Sequence, residues 1–109
     1  MSLLIALALA VAPPLAGGWS PVEQPGDDHE VRAAALALVR HLPVKGQNLR
    51  HIDSASQQVV AGMRYRLTVR LTNGRTWRGT VWHRLDGTYV VSELRQARGR
   101  AHQETKTNN

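Results

Sequence analysis

Five histidines and eight carboxylates are the residues with which this 109-residue chain could do acid–base or metal chemistry. His29, His41, His51, His83 and His102 are scattered, at no spacing that would gather ligands around a metal. His51, Asp53 and Ser54 are neighbours. Successive side chains on a strand alternate between faces, so these residues do not assemble as a nucleophile, base and orienting acid. There is no Gly-rich phosphate loop and no carboxylate pair spaced for catalysis. There is no Cys either, which removes disulfides, a thiolate nucleophile and thiolate-bound metal. The residues point away from an enzyme and call for no cofactor, metal or small-molecule substrate.

The chemistry that remains is desolvation. Gln58-Val59-Val60-Ala61-Gly62 lies between two strand-like runs and reads as a hairpin tip. Turns are usually built from Gly, Asn, Asp, Pro and Ser, so valines at a tip mark a surface that a partner covers. Burying one such valine contributes roughly 1.5–3 kcal/mol. A preformed hairpin also loses little entropy on binding.

The elements that must position this tip are legible around it. Asp27-Asp28-His29-Glu30 is a helix start, with either aspartate able to cap and Glu30 in the first turn. Val31, Ala35, Leu38 and Leu42 recur at helical spacing, flanked by Ala34 and Val39, while Arg32 and Arg40 fall off the stripe. Pro43 and Gly46 end the helix. Gln47 to Val60 follows as one long strand with imperfect alternation. Arg64 to Thr72 alternates cleanly, with Tyr65, Leu67, Val69 and Leu71 on one face. Asn73-Gly74 predicts a tight turn, because both residues tolerate positive φ. Arg75 to His83 and Thr88 to Leu94 are the last strands, joined through Asp86-Gly87. The fold class is α+β: an antiparallel sheet of four to five strands wrapped around one long helix, with a short extra strand expected near Trp19. Pro13 to Gly26 should be extended and mobile, anchored at Trp19 and Val22.

Composition sets the rest. Residues 1–10 are apolar and uncharged after Ser2, too short to span a bilayer, and read as a secretory leader with Ala8-Leu9-Ala10 as its cleavage site. Residues 11–94 form one small domain, and residues 95–109 a basic tail without apolar periodicity, read as disordered. The expected location is outside the cell. Without disulfides the domain rests on its core alone, which is feasible near this length. Net charge is +6, and 12 of the 14 basic residues are Arg. Arg64, Arg66, Arg70, Arg75 and Arg78 would form a basic stripe, read first as a solvated face and second as a surface for an anionic glycan or membrane.

The pentapeptide at positions 58–62 is also the Gln-x-Val-x-Gly signature of the cystatins, inhibitors of papain-like cysteine proteases. It runs into a strand with Tyr65 three residues after Gly62, as in that family. Gly17-Gly18-Trp19-Ser20-Pro21-Val22 resembles the arm of the disulfide-free plant cystatins, and the single helix lies between arm and hairpin in the family order. The resemblance covers roughly Val11 to Leu94. It implies a secreted, reversible, competitive inhibitor of cathepsin-type proteases, monomeric and acting one-to-one. It also implies that arm and two hairpin loops enter the protease cleft together. Carried onto this chain, the contacts are Leu15, Gly17 and Gly18 in the arm, Gln58, Val59, Val60, Ala61 and Gly62 in the first loop, and Trp82, His83 and Leu85 at the second.

The second loop departs from the family. Cystatins usually present Pro-Trp there, whereas this chain has His83-Arg84-Leu85-Asp86-Gly87. Trp82 matches a strand-borne aromatic of the plant proteins and is read first as packing on the sheet, then as protease contact. Losing an interface Trp commonly costs about 2 kcal/mol, so weaker or more selective inhibition is expected. Two rivals follow: a cystatin-fold binding module without inhibition, and a cationic glycan- or membrane-binding defence protein.

Overall fold

The computed structural model describes residues 18–97. The leader expected at residues 1–10, arm residues Leu15 and Gly17, and most of the basic tail lie outside the described residues. Among the described residues one α-helix, α1 (His29–Arg40), packs on a five-stranded antiparallel sheet. Its strands are β1 (Ser20–Pro21), β2 (Leu49–Val60), β3 (Gly62–Leu71), β4 (Thr76–His83) and β5 (Tyr89–Ala97), and each neighbours the next in sequence. This is the α+β arrangement expected from the sequence.

The helix starts where a side chain can satisfy its free amides. Of the two aspartates, Asp28 is the cap: its Oδ1 accepts from the Glu30 and Val31 amides at 3.0 and 3.1 Å. Asp27 belongs instead to a short 3-10 turn, Pro25–Asp27. The apolar stripe is buried at Val31, Ala35, Leu38 and Leu42, joined by Ala34 and Ala37. Across from it lie Ile52 and Ala55 of β2, Tyr65, Leu67, Val69 and Leu71 of β3, and Trp77 and Val81 of β4.

Alanines let the helix lie close, and Gly79 completes the fit. A Cβ on Gly79 would sit 2.6 Å from Leu38 Cδ1 and 3.3 Å from Leu94 Cδ1. Leu38 is fully buried and has little room to yield. Gly79→Ala is therefore expected to destabilise the fold by about 1–3 kcal/mol, read as a lower thermal midpoint. An unchanged midpoint would mean that Leu38 repacks freely.

Two sequence expectations are corrected. The stretch before the helix holds the short strand expected near Trp19 and the anchor expected at Val22, and only its expected mobility is corrected, because from Ser20 on it is tied to the sheet: Ser20 and Pro21 pair with Gln57 and Ser56, and the Val22 amide donates to the Ala55 carbonyl at 2.9 Å. The final strand runs past Leu94 to Ala97, because Arg95, Gln96 and Ala97 find partners in Arg78, Trp77 and Thr76. The imperfect alternation of β2 also has a cause. Ile52 and Ala55 both face the core although three residues apart, and a register shift between Ile52 and Ser54 absorbs the odd spacing.

Candidate functional site

The β2–β3 hairpin turns at Ala61 between paired Val60 and Gly62, and Gly62 takes φ +102°, a conformation suited to glycine. The β4–β5 hairpin turns through residues 84–88, closed by the Arg84 amide donating to the Thr88 carbonyl at 2.8 Å. Because Met63 pairs with His83, both turns leave the sheet at the same end. The Asn73-Gly74 turn joins the other ends of β3 and β4, with Gly74 at φ +87°.

The two loops touch. A Cβ on Gly62 would overlap the His83 carbonyl oxygen and stand 3.1 Å from Arg84 Cα, so only glycine lets the second loop approach this closely. Trp82 Nε1 donates to the Ala61 carbonyl at 2.8 Å, tying the tip of the first loop to β4. The Arg84 guanidinium lies 5.2 Å from the Trp82 ring centroid. At the root of the first loop, Arg64 Nη1 donates to Gln58 Oε1 at 3.0 Å, bracing its two strands. With this polar frame below them, Val59 is 54% exposed, Ala61 is exposed and Val60 is half-buried.

The second loop offers a different apolar group from the expected family pair. Leu85 projects at 80% exposure, the most open large apolar side chain among the described residues. Its loop is held from both sides. His83 stacks on Tyr89 with ring centroids 4.3 Å apart, and Asp86 Oδ1 accepts from the Thr88 hydroxyl at 2.7 Å and the Thr88 amide at 3.0 Å. The Thr88 hydroxyl, then its amide, hold the Asp86 carboxyl below its ordinary value. A lowered carboxylate pKa contributes while the group is ionised and is lost only as pH falls through the lowered value. The loop therefore keeps this brace at neutral and mildly acidic pH.

The arm reaches the same edge. Continuing the register Ser20↔Gln57 outward brings Trp19 level with Gln58 and Gly18 level with Val59. Trp19 is fixed there by cations from β3, with the Arg66 guanidinium 4.0 Å and that of Arg64 5.3 Å from its ring centroid. Sequence reasoning saw Trp19 as an anchor but missed its partners and missed Arg64 as a loop brace. The available signal was the spacing of Gln58 and Arg64, which fall opposite each other across a hairpin with Gly62 near its tip.

Of the candidate site residues, the structure brings Gly18, Gln58, Val59, Val60, Ala61, Gly62, Trp82, His83 and Leu85 to one end of the molecule. The acid–base candidates are not there. His51 Nε2 approaches Asp53 Oδ1 at 3.7 Å, but the short contact of that carboxylate is with Arg70, at 2.7 Å. No cluster of three potential metal-binding side chains occurs among the described residues.

No family model matches the chain. It is 40% identical over 80 residues to cysteine proteinase inhibitor 8 of rice, Oryza sativa subsp. japonica, an alignment covering 63% of this chain and 65% of the relative. The chain thus spans just under two thirds of the relative's length. The similarity supports the cystatin family, and the one-helix, five-strand architecture is consistent with that fold.

Proposed function

We propose that this chain, cystatin-like in sequence and fold, is a secreted, reversible and competitive inhibitor of papain-like cysteine proteases, cathepsin-type enzymes among them. It acts as a monomer at one-to-one stoichiometry. The observation that carries the reading is one edge on which exposed Val59, Ala61 and Leu85 stand together over a hydrogen-bonded frame. Such an edge has apolar area to bury and little freedom to lose. The rice relative's name supports a protease as the partner, and the leader-like residues 1–10 support secretion.

In this reading Gly18 lets the arm turn away from the cleft, Leu15 and Gly17 lie along its unprimed side, and the first loop covers the catalytic cysteine. Leu85 and His83 take the place of the absent Pro-Trp. Affinity should therefore be lower than where an interface Trp is present, by about 2 kcal/mol or roughly thirtyfold.

The deciding experiment is titration of papain with the chain starting at Val11, following a fluorogenic peptide. Saturable competitive inhibition at one-to-one stoichiometry is expected. A folded chain that leaves papain untouched at micromolar concentration would overturn the reading for papain and favour a binding module without inhibition.

A further inference from the structure

The face of the sheet turned away from α1 carries a second surface, which shares Arg66 with the seat of Trp19. A groove of about 510 Å³ crosses β2 to β5 there, with Arg66, Arg78 and Arg95 among its lining residues. Ser54, Ser56 and Thr68 add hydroxyls. Arg78 and Arg95 stand directly opposite each other in the β4–β5 ladder, and both are exposed. Like charges placed opposite destabilise a sheet. Neither has an acidic partner among the described residues. Glu93 also lines the groove, with its carboxylate accepting from Thr80 Oγ1 at 2.8 Å, and Asp53 is taken by Arg70. The register shift between Arg78 and Thr80 and the positive φ of Glu93, +53°, are what bring this arrangement about.

We propose that this groove binds a linear sulfated glycan. Guanidinium groups are weakly hydrated and forked, and they match the oxygens of a sulfate. The hydroxyl-rich lining suits a polyhydroxylated chain between its sulfates. A bilayer is a poorer match, because the exposed large apolar side chains Leu36, Val59, Leu85 and Val90 all lie outside the groove. The groove's β3–β4 pairs, Arg66↔Thr80 and Thr68↔Arg78, are three and five ladder positions from Met63↔His83, about 10 and 16 Å along the strands at ~3.3 Å per residue. A glycan seated at Arg78 and Arg95 therefore leaves the loop edge free.

The test is isothermal titration of the full chain with a size-defined heparin octasaccharide at about 0.15 M ionic strength. A desulfated octasaccharide, phosphatidylserine vesicles and a short oligodeoxynucleotide serve as comparison arms. Binding should prefer the sulfated octasaccharide. It should fall at least about tenfold in Arg78→Gln/Arg95→Gln and less than about threefold in Arg32→Gln/Arg40→Gln, which removes equal charge from the helix. The groove variant should melt no earlier than the parent, since a like-charge opposition is relieved. If it does melt earlier, Arg95→Gln alone carries the comparison. Equal losses in the two double variants would reduce the effect to bulk charge and overturn the site. So would tighter binding to vesicles or oligonucleotide, or no binding to the octasaccharide.

Discussion

Gly62→Ala should weaken inhibition of papain by at least about a hundredfold while leaving the chain folded. Two costs coincide at this position. The backbone sits at φ +102°, where a side chain adds roughly 1–3 kcal/mol of strain. The new methyl would also overlap the His83 carbonyl oxygen, and Arg84 Cα stands only 3.1 Å away. Backbone atoms cannot swing aside as a flexible side chain can, so one loop must move off the other. Overpacking of this sort costs about 1–3 kcal/mol. The two loops then share one edge only in a minor population, and apparent affinity falls with that fraction. A combined cost near 3 kcal/mol corresponds to about a hundredfold.

Gly74→Ala separates the two causes. Gly74 has φ +87°, yet nothing lies within 4 Å of a Cβ built there, and its turn is at the opposite end of the sheet. It should lower the thermal midpoint through strain and leave inhibition unchanged. If Gly62→Ala inhibits as the parent does, the contact between the loops is not what presents the site.

What could be seen in advance follows from the range of the interaction. The helix stripe, the alternation of Tyr65, Leu67, Val69 and Leu71, and the Asn73-Gly74 turn are local patterns, and each is where the sequence put it. The turn even shows its local chemistry, with Asn73 Oδ1 accepting from the Arg75 amide at 2.9 Å. The first loop was legible because an apolar tip breaks a local rule. Its support was not. Gly62 meets His83, and Ala61 meets Trp82, only after two more strands have been laid beside β2. No local propensity encodes that approach. Gly79 was invisible for the same reason, since its lack of a side chain matters only against Leu38 of the helix. The Arg78–Arg95 opposition depends on a bulge in the last ladder, so a count of alternating arginines could suggest a basic stripe but could not choose these two.

Trp82 tests whether a strand-borne aromatic can replace a missing loop aromatic by holding rather than touching. Its ring is half-buried on the outer face, opposite Arg64 in the β3–β4 ladder, with Arg84 alongside and its indole N–H on the Ala61 carbonyl. Trp82→Ala removes the ring, the hydrogen bond and the seat of Arg84 together. Inhibition should weaken by about 2 kcal/mol or more, roughly thirtyfold. Trp82→Phe keeps an aromatic surface and loses only the N–H. The Ala61 carbonyl is at an exposed tip where water can replace the donor, so this change should cost about 0.5–1.5 kcal/mol, roughly twofold to twelvefold. The rates discriminate further. A residue that holds the loop changes how much of the free inhibitor is competent, so Trp82→Phe should slow association by its full factor and leave dissociation nearly unchanged. A residue that contacts the protease should show its loss mainly in faster dissociation. A Phe variant whose deficit lies in dissociation would move Trp82 from support to contact. It would also mean that the second loop presents an aromatic from the end of its strand, at Trp82, in place of the Pro-Trp that its turn lacks.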